Sequence, residues 1–368
     1  MAEPTIHNLE IDGGPDPSVQ QFIDNTLAAL VNELSRSPAE ANISITLKRR
    51  ASPIACIVNP TTGALEASPR IDTYRKYSWP GKTAYEAWKF TVILRILAIL
   101  DQVIRTGQLI SKRDIYYIDP EFFRMQYIVD GIVDDLAYTI GVNRTALNVE
   151  AAAKGLVTGD FRLIRGSHIL IDAHPCPQAV FHRLARISYH TRALAGEGIM
   201  VTVSCVSDLA YAGKGYPDFM TRTFLRAMSD SASKQSRRPP RFYALTDGDP
   251  HGMAIMSTYK YGSAANLHQN ARLSIPRLQW LGLRVSDIIA VPEVLGDTAL
   301  LSLTMRDRKK IMAMLRNSPV WASDGPEPEW RAELQRMLVL NLKAEIEILY
   351  GCQGGLEGWI NRRMFRQE

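Results

Sequence analysis

Beyond about residue 166 one pattern recurs: a short apolar run, a turn rich in Gly or acidic residues, then a stretch with helical spacing. The runs are Ile169 to Ile171, Ile199 to Cys205, Phe242 to Leu245 and Ile288 to Val291, and the helical stretches include Thr221 to Met228 and Met253 to Tyr259. Runs too short for helices, alternating with helices, predict an α/β sheet with largely parallel strands, and such sheets bind ligands beyond their strand ends. With 368 residues, 46% of them hydrophobic, the chain can bury more than one core. That apolar content excludes disorder of the whole chain, and 24 Gly and 20 Pro without a period exclude a collagen-like class.

The first half has a different grammar. Residues 1–70 mix Pro, Gly and Ser with short alternation such as Ile43 to Leu47, which predicts a partly flexible, strand-bearing N-terminal extension carrying little chemistry. From Thr83 to Thr106, Trp88, Leu94, Leu97 and Ile104 follow helical spacing and Gly107 provides the stop. Ser111 is placed to cap a short helix holding Arg113-Asp114-Ile115-Tyr116-Tyr117. Asp119-Pro120 opens a third helix, with Phe123, Ile128, Ile132 and Leu136 on one side and an end near Gly141. Short strands are expected at Leu147 to Val149, Lys154 to Val157 and Phe161 to Ile164. Three helices and a small β-ribbon outline a winged helix, a nucleic-acid-binding module, over residues 71–165, with the α/β domain and C-terminal helices at 166–368.

Several classes drop out. The longest apolar run, Val92 to Leu100, is broken by Arg95 and is shorter than the roughly 20 residues of a membrane span. The opening MAEPTIHNLEIDGG lacks a basic and then apolar leader, so secretion is not expected. Four well-separated cysteines without a CxxC pair fit reduced thiols rather than disulfides or a zinc ribbon. His174, Cys176 and His182 match no zinc spacing. A net charge of +5 permits a polyanionic partner, with basic runs at Lys48 to Arg50, Lys234 to Arg241 and Arg306 to Lys310 that are equally readable as solvated surface.

Three local patterns bear chemistry. Asp247-Gly248-Asp249-Pro250-His251-Gly252 follows the run Phe242 to Leu245. Carboxylates two apart at a strand end share a face and supply hard oxygens suited to Mg²⁺ or Mn²⁺, although the same residues also read as an acidic turn capping a helix. In Tyr116-Tyr117 a phenol is available to attack a phosphodiester and keep its bond energy in a phosphotyrosine ester, and Arg113 one turn earlier is placed to neutralise phosphoryl charge. Two helical tyrosines are equally the signature of core or interface aromatics. In Gly213-Lys214-Gly215-Tyr216-Pro217-Asp218 the glycines let backbone approach phosphate and Tyr216 offers a stacking face, yet the P-loop spacing is absent and a structural turn reads the same way.

Taken in order, these motifs resemble the eukaryotic meiotic DNA double-strand-break proteins related to the A-type chain of type IIB topoisomerase (topoisomerase VI). The resemblance runs from about Tyr77 to Ile348 and includes Pro80-Gly81-Lys82-Thr83, Lys112 to Tyr117, Ala146 to Val149, Ala153 to Leu156, the GKGYPD string, Asp247 to Gly252, Ser257 to Lys260 and Asn341 to Glu345. It implies a winged-helix (catabolite-activator-like) domain followed by a Toprim Rossmann-like metal domain. It also implies a nucleophile at Tyr117 helped by Arg113, Mg²⁺ at Asp247 and Asp249, and DNA contacts at Lys154, Lys214 and Tyr216. The expected activity is topoisomerase-like cleavage, of the ATP-hydrolysing type IIB class, by an A-type subunit covalently linked to 5′ ends. Expected partners are double-stranded DNA, a homodimer mate of the same A type, a topoisomerase VI B-like subunit, plus meiotic accessory proteins in the nucleus, with no membrane. One departure stands out: where the family's first Toprim strand ends in a metal-binding glutamate, this chain offers Asp172 or Cys176. A catalytically silent DNA-binding or scaffold relative is therefore the alternative, and a metal-dependent nuclease acting through water a third reading.

Overall fold

A computed structural model describes residues 7–10, 16–36, 43–50, 56–68, 72–150, 155–158, 161–165, 168–169, 179–196, 198–203, 216–235, 241–289 and 300–365. The first elements are β1 (His7–Glu10), α1 (Pro17–Leu34), β2 (Ser44–Lys48), β3 (Cys56–Val58), β4 (Leu65–Ala67) and β5 (Tyr74–Ser78). Then come α2 (Ala84–Thr106), α3 (Lys112–Ile118), α4 (Pro120–Phe123) and α5 (Gln126–Ile140). Two compact units result, one of Asp12–Ser52 and Pro69–Ala152, the other of Met1–Ile11, Pro53–Ser68 and Ala153–Glu368. The N-terminal 70 residues are thus shared between the units instead of forming a body of their own.

In the helical unit, α1 is an element that the Pro- and Gly-rich composition concealed. Asp16 caps it by accepting from Ser18 N at 2.9 Å, Pro17 occupies its first turn, and Val19, Ile23 and Leu30 face inward. Helix α2 runs from its Thr83 cap to Gly107, whose φ of 67° is the left-handed conformation glycine adopts without strain. Its Phe90, Ile93, Ile96, Leu97 and Leu100 are buried with Ile128, Ile132 and Leu136 of α5, each stabilising the fold by about 1.5–3 kcal/mol. Antiparallel β2 and β5 add Ile45, Leu47 and Tyr77 to the same core.

Two expectations here need correction. The single helix from Asp119 to Gly141 is interrupted: Arg124 lies at φ 65°, ψ −55°, and Met125 N donates to Phe123 O at 2.7 Å, so the chain turns between α4 and α5. The strand at Leu147 to Val149 is instead a 3₁₀ turn over Thr145–Leu147. It ends at Asn148 in the left-handed region and leaves Val149 to bridge Ile110.

The second unit continues with β6 (Gly155–Thr158), β7 (Phe161–Arg165), β8 (His168–Ile169), α6 (Ala179–Arg186), α7 (Tyr189–Arg192), β9 (Met200–Val203) and α8 (Phe219–Gln235). After these come β10 (Phe242–Leu245), α9 (Pro250–Lys260), α10 (Asn270–Leu273), β11 (Leu278–Gly282) and α11 (Val285–Ile289). The last are β12 (Leu300–Ser302), α12 (Met305–Asn317), α13 (Pro328–Leu340), β13 (Leu342–Ala344) and α14 (Gly355–Phe365). The expected ribbon of β6 against β7 does not form. Strand β6 pairs antiparallel with β9, while β7 pairs with β1 in parallel and β8 antiparallel, so both strands join the second unit. Strand pairing is set by partners far away in sequence, which local alternation cannot reveal.

Parallel pairing holds for β10–β11 and β1–β7, but β3–β4 and β12–β13 are antiparallel, so the unit is mixed α/β rather than largely parallel. Ile288 does not begin a strand: it is buried on α11 with Val285, because a helix turn there packs both residues. Two cores hold the unit. One gathers Met253, Met256, Trp280, Ile311, Trp330 and Leu334, the other Leu281, Leu283, Ile288, Ile348, Leu356 and Ile360. Among the described residues no helix is long and apolar enough to cross a membrane.

Candidate active site

Helix α3 is built to display its outer face. Asp114 N donates to Ser111 Oγ at 3.1 Å and Ser111 N donates back to Asp114 Oδ2 at 2.9 Å, a reciprocal cap that fixes the first turn. Ile115 is fully buried and Tyr116 packs against the helical core. Tyr117 is 62% exposed although its ring lies only 5.4 Å from that of Tyr116. The doublet is thus split: one ring is packing, the other is presented. Arg113 is exposed four residues before Tyr117, so both stand on one face of the helix. Asp119 ends α3 and caps α4, accepting from Phe122 N at 3.1 Å. Arg124 at the following turn lies 4.3 Å above the Trp88 ring, and Trp88 Nε1 donates to Phe122 O at 2.9 Å.

The acidic turn of the second unit is fastened on two sides. Thr246 N donates to Gly282 O at 2.9 Å and Leu283 N to Thr246 O at 2.7 Å, continuing the β10–β11 pairing. Gly248 and Ala344 exchange backbone bonds of 2.9 and 3.1 Å, tying the turn to β13. Gly252 is required, because a Cβ there would sit 2.3 Å from the Asp247 carbonyl oxygen. The two carboxylates differ in role. Asp249 caps α9, accepting from Gly252 N at 2.6 Å, as the helix-capping reading of the motif expects. Asp247 is half-buried and accepts from Ile346 N at 3.0 Å. Burial above all, opposed by the Ile346 N–H and helped by the charges of Asp249, Glu347 and Glu345, pushes its carboxyl up to about 6.

Such a donor set fits a divalent cation. A hard carboxylate that is costly to ionise among other carboxylates gains from an added positive charge, and Mg²⁺ is held by one or two carboxylates with waters or phosphates completing its shell. Among the described residues no group of three or more His, Cys, Asp or Glu is assembled as a ready cage. Asp172 and Cys176 lie outside the described residues.

The remaining candidates divide in the same way. Lys154 and Lys214 lie outside the described residues. Tyr216 is half-buried; Lys310 Nζ donates to its hydroxyl at 2.7 Å and lies 5.3 Å from its ring centroid. Asp218 caps α8, accepting from Thr221 N at 2.7 Å. Lys310 therefore ties the basic run of α12 to the GKGYPD segment, a role that spacing along the chain does not reveal. Lys343 Nζ pairs with Asp307 at 2.9 Å, and His251 Nε2 stands 3.9 Å from the same carboxylate. The signals were present as the Arg306 to Lys310 run and the Asn341 to Glu345 motif, but which acid each base meets is decided by packing.

Residues 178–354 match the Toprim-domain family of the topoisomerase 6 A-type chain and Spo11, and residues 88–149 match the family described as Type IIB DNA topoisomerase. Meiotic recombination protein rec12 of Schizosaccharomyces pombe is 30% identical over 347 residues, 92% of this chain and 93% of that protein. The chain belongs to the topoisomerase 6 A-type/Spo11 family. Meiotic recombination protein SPO11 of Homo sapiens is 29% identical over 348 residues, covering 89% of this chain and 82% of the human protein. The A-type chain of DNA topoisomerase 6 from Arabidopsis thaliana is 31% identical over 303 residues, covering 76% of this chain and 66% of the plant protein. The Toprim match contains Asp247 and Asp249, and the type IIB match contains Arg113 and Tyr117.

Proposed function

We propose that this chain makes meiotic DNA double-strand breaks by topoisomerase-like transesterification, with Tyr117 as nucleophile. The observation that carries the reading is the exposed phenol of Tyr117 beside Arg113 on a capped helix, within the stretch that matches type IIB topoisomerases. The Tyr117 oxygen forms a bond to phosphorus, the bond from phosphorus to the 3′ oxygen breaks, and the phenol's proton is passed on as the 3′ hydroxyl is released. Arg113 holds a phosphoryl oxygen and offsets the charge that builds on it. No water is consumed and the bond energy is kept in the 5′-phosphotyrosyl ester, so this chain's own step needs no ATP; ATP hydrolysis belongs to a B-type partner.

Asp247 and Asp249 would hold a magnesium ion, which supplies neutralising charge at the scissile phosphodiester when bound. Tyr216, Lys214 and Lys154 grip the DNA backbone, contacts that position without specifying sequence. The helices of the helical unit would serve as the platform for the duplex, without the β6–β7 ribbon that the winged-helix reading expected. Cutting two strands takes two tyrosines, so a symmetric dimer is expected, each site combining the tyrosine of one protomer with the carboxylates of its partner. The names of the relatives, meiotic recombination proteins and an A-type topoisomerase chain, support a role in meiotic recombination; action on chromosomes in the nucleus with a B-like subunit and accessory proteins completes the proposed reading.

A second reading rests on Asp172 or Cys176 standing where the family's glutamate belongs: a DNA-binding or scaffold relative that no longer cleaves. Incubation with an end-labelled duplex and Mg²⁺, followed by denaturation, separates the two. Label retained on the protein and lost in Tyr117→Phe supports cleavage. A wild-type chain that binds the duplex without retaining label supports the scaffold reading.

A further inference from the structure

A charge cluster that the cleavage chemistry does not use holds the tyrosine helix in place. Lys112, the first residue of α3, pairs through Nζ with Asp134 of α5 and donates to the backbone carbonyl of Asp130 at 3.2 Å. The two charged side chains are only 15% and 18% exposed. Asp134 is also faced by Arg50 Nη1 at 3.3 Å and Arg144 Nε at 3.7 Å, while Arg50 Nε reaches Asp135 at 2.6 Å. The pair therefore joins α3 to a cluster that gathers α5, the end of β2 and the turn after α5.

Helix α3 has seven residues, too few to keep its own conformation in water. Its cap fixes one end, and Ile115 with Tyr116 supplies apolar contact. Apolar contact holds the roll of the helix about its axis only loosely, because it is non-directional, whereas a hydrogen-bonded ion pair is directional. At about 100° per residue, Tyr116 lies about 40° from Lys112 on the inner face, and Tyr117 about 140° away on the outer face. A roll of one residue spacing brings Tyr116 to the outward position that Tyr117 holds and carries Tyr117 a further 100° or so, about one residue step, round the axis.

We propose that the Lys112–Asp134 pair sets the roll of α3 and so selects Tyr117, rather than its neighbour Tyr116, as the outward nucleophile. Lys112 is a positioning residue in this account. The proposal rests on the reading of Tyr117 as the attacking group, and it adds a reason why only one member of the doublet is used.

The test compares the full-length chain with Lys112→Met, Lys112→Arg and Asp130→Asn by three readouts: covalent adduct on a labelled duplex with Mg²⁺, mass-spectrometric mapping of the phosphotyrosyl peptide, and amide hydrogen exchange. In Lys112→Met the adduct rate at saturating duplex falls by about tenfold or more, the scale of a small misplacement of a reacting group. The half-saturating duplex concentration stays within about twofold, exchange quickens over residues 112–118 and not over α2, and a share of the remaining adduct maps to Tyr116. Lys112→Arg restores the rate to within about threefold, since it keeps the charge. Asp130→Asn keeps the rate to within about threefold, because the hydrogen bond from Lys112 goes to the carbonyl of that residue and its carboxylate acts on Lys112 only through its charge.

An unchanged rate in Lys112→Met with all adduct still at Tyr117 overturns the proposal. So does an equal loss in Asp130→Asn, or exchange that quickens equally over α2, which marks general unfolding. If the wild-type chain forms no adduct, the cleavage reading fails and the exchange arm still decides: quickening confined to 112–118 supports the pair as the anchor of α3, and its absence removes it.

Discussion

Helix α3 and the acidic turn after β10 solve opposite problems. The helix carries a phenol 62% exposed, with a single fully buried residue, Ile115, beneath it. The turn carries a carboxylate half-buried under strands β11 and β13 and pushed up to about 6 by that burial and by neighbouring negative charge. In the proposed reading, Tyr117 has to protrude to meet a duplex, so its support comes from caps and charges around the rim. In the same reading, Asp247 as a cation ligand gains from being held where ionisation is unfavourable until positive charge arrives. Stability and function therefore coincide poorly at the turn and scarcely compete at the helix.

The largest expected effect tests the helix side. Tyr117→Phe removes one exposed hydroxyl and should lower covalent adduct formation by about a thousandfold or more, about 4 kcal/mol in the barrier. Its melting temperature and duplex affinity should match those of the parent. A substantial adduct in that variant breaks the contrast at its root.

On the turn side, Gly252→Ala sharpens the claim of tight packing. Its Cβ meets the Asp247 carbonyl at 2.3 Å, so backbone must move. A loss of about 1–3 kcal/mol in denaturant unfolding is expected, together with loss of cleavage. A variant as stable as its parent would show that the turn is looser than this packing implies.

Asp247→Asn probes the opposition between stability and function directly. The folded carboxyl, at about 6, lies above the ordinary aspartate value of 3.8, so the folded state holds the proton more tightly than the unfolded one. The resulting penalty is absent below about pH 4, grows as pH rises through the window, and is complete above about pH 6. Without divalent cations the variant should therefore be more stable than its parent at pH 7, by about 1–3 kcal/mol, and equal to it near pH 4. Added Mg²⁺ should raise the melting temperature of the parent and not of the variant. Calorimetry across that pH range reads both, and a variant less stable at pH 7 contradicts the burial argument.

Ser111→Ala is the smallest change. It removes the reciprocal cap at a cost of about 1 kcal/mol, and cleavage should drop a few-fold as the first turn of α3 frays, with exchange at residues 112–115 as the direct measure.

Much of this was legible before the fold was known, and for identifiable reasons. The Thr83, Ser111 and Asp119 caps and the Gly107 stop act within three or four residues, so α2 and α3 could be read from spacing. Asp16-Pro17 and the spacing of Val19, Ile23 and Leu30 carried the same signal for α1, but the surrounding Pro and Gly drew the reading towards a flexible lead-in. The break at Arg124 was not legible, because a non-glycine residue at positive φ announces itself only in the backbone. Nor was the fate of β6 and β7, whose partners β9 and β1 lie tens to hundreds of residues away.

The order of residues alone fixed the chemical inventory: a tyrosine doublet with an arginine one turn ahead, two carboxylates two apart at a strand end, and the glycines that let that turn close. Tertiary structure decided which phenol faces outward, that Lys112 meets Asp134, and that Asp247 lies under Ile346, 99 residues further along the chain. The division has a physical cause. Caps and turns depend on bonds between near neighbours, whereas exposure, desolvation and electrostatic field at an atom are sums over everything the fold brings around it.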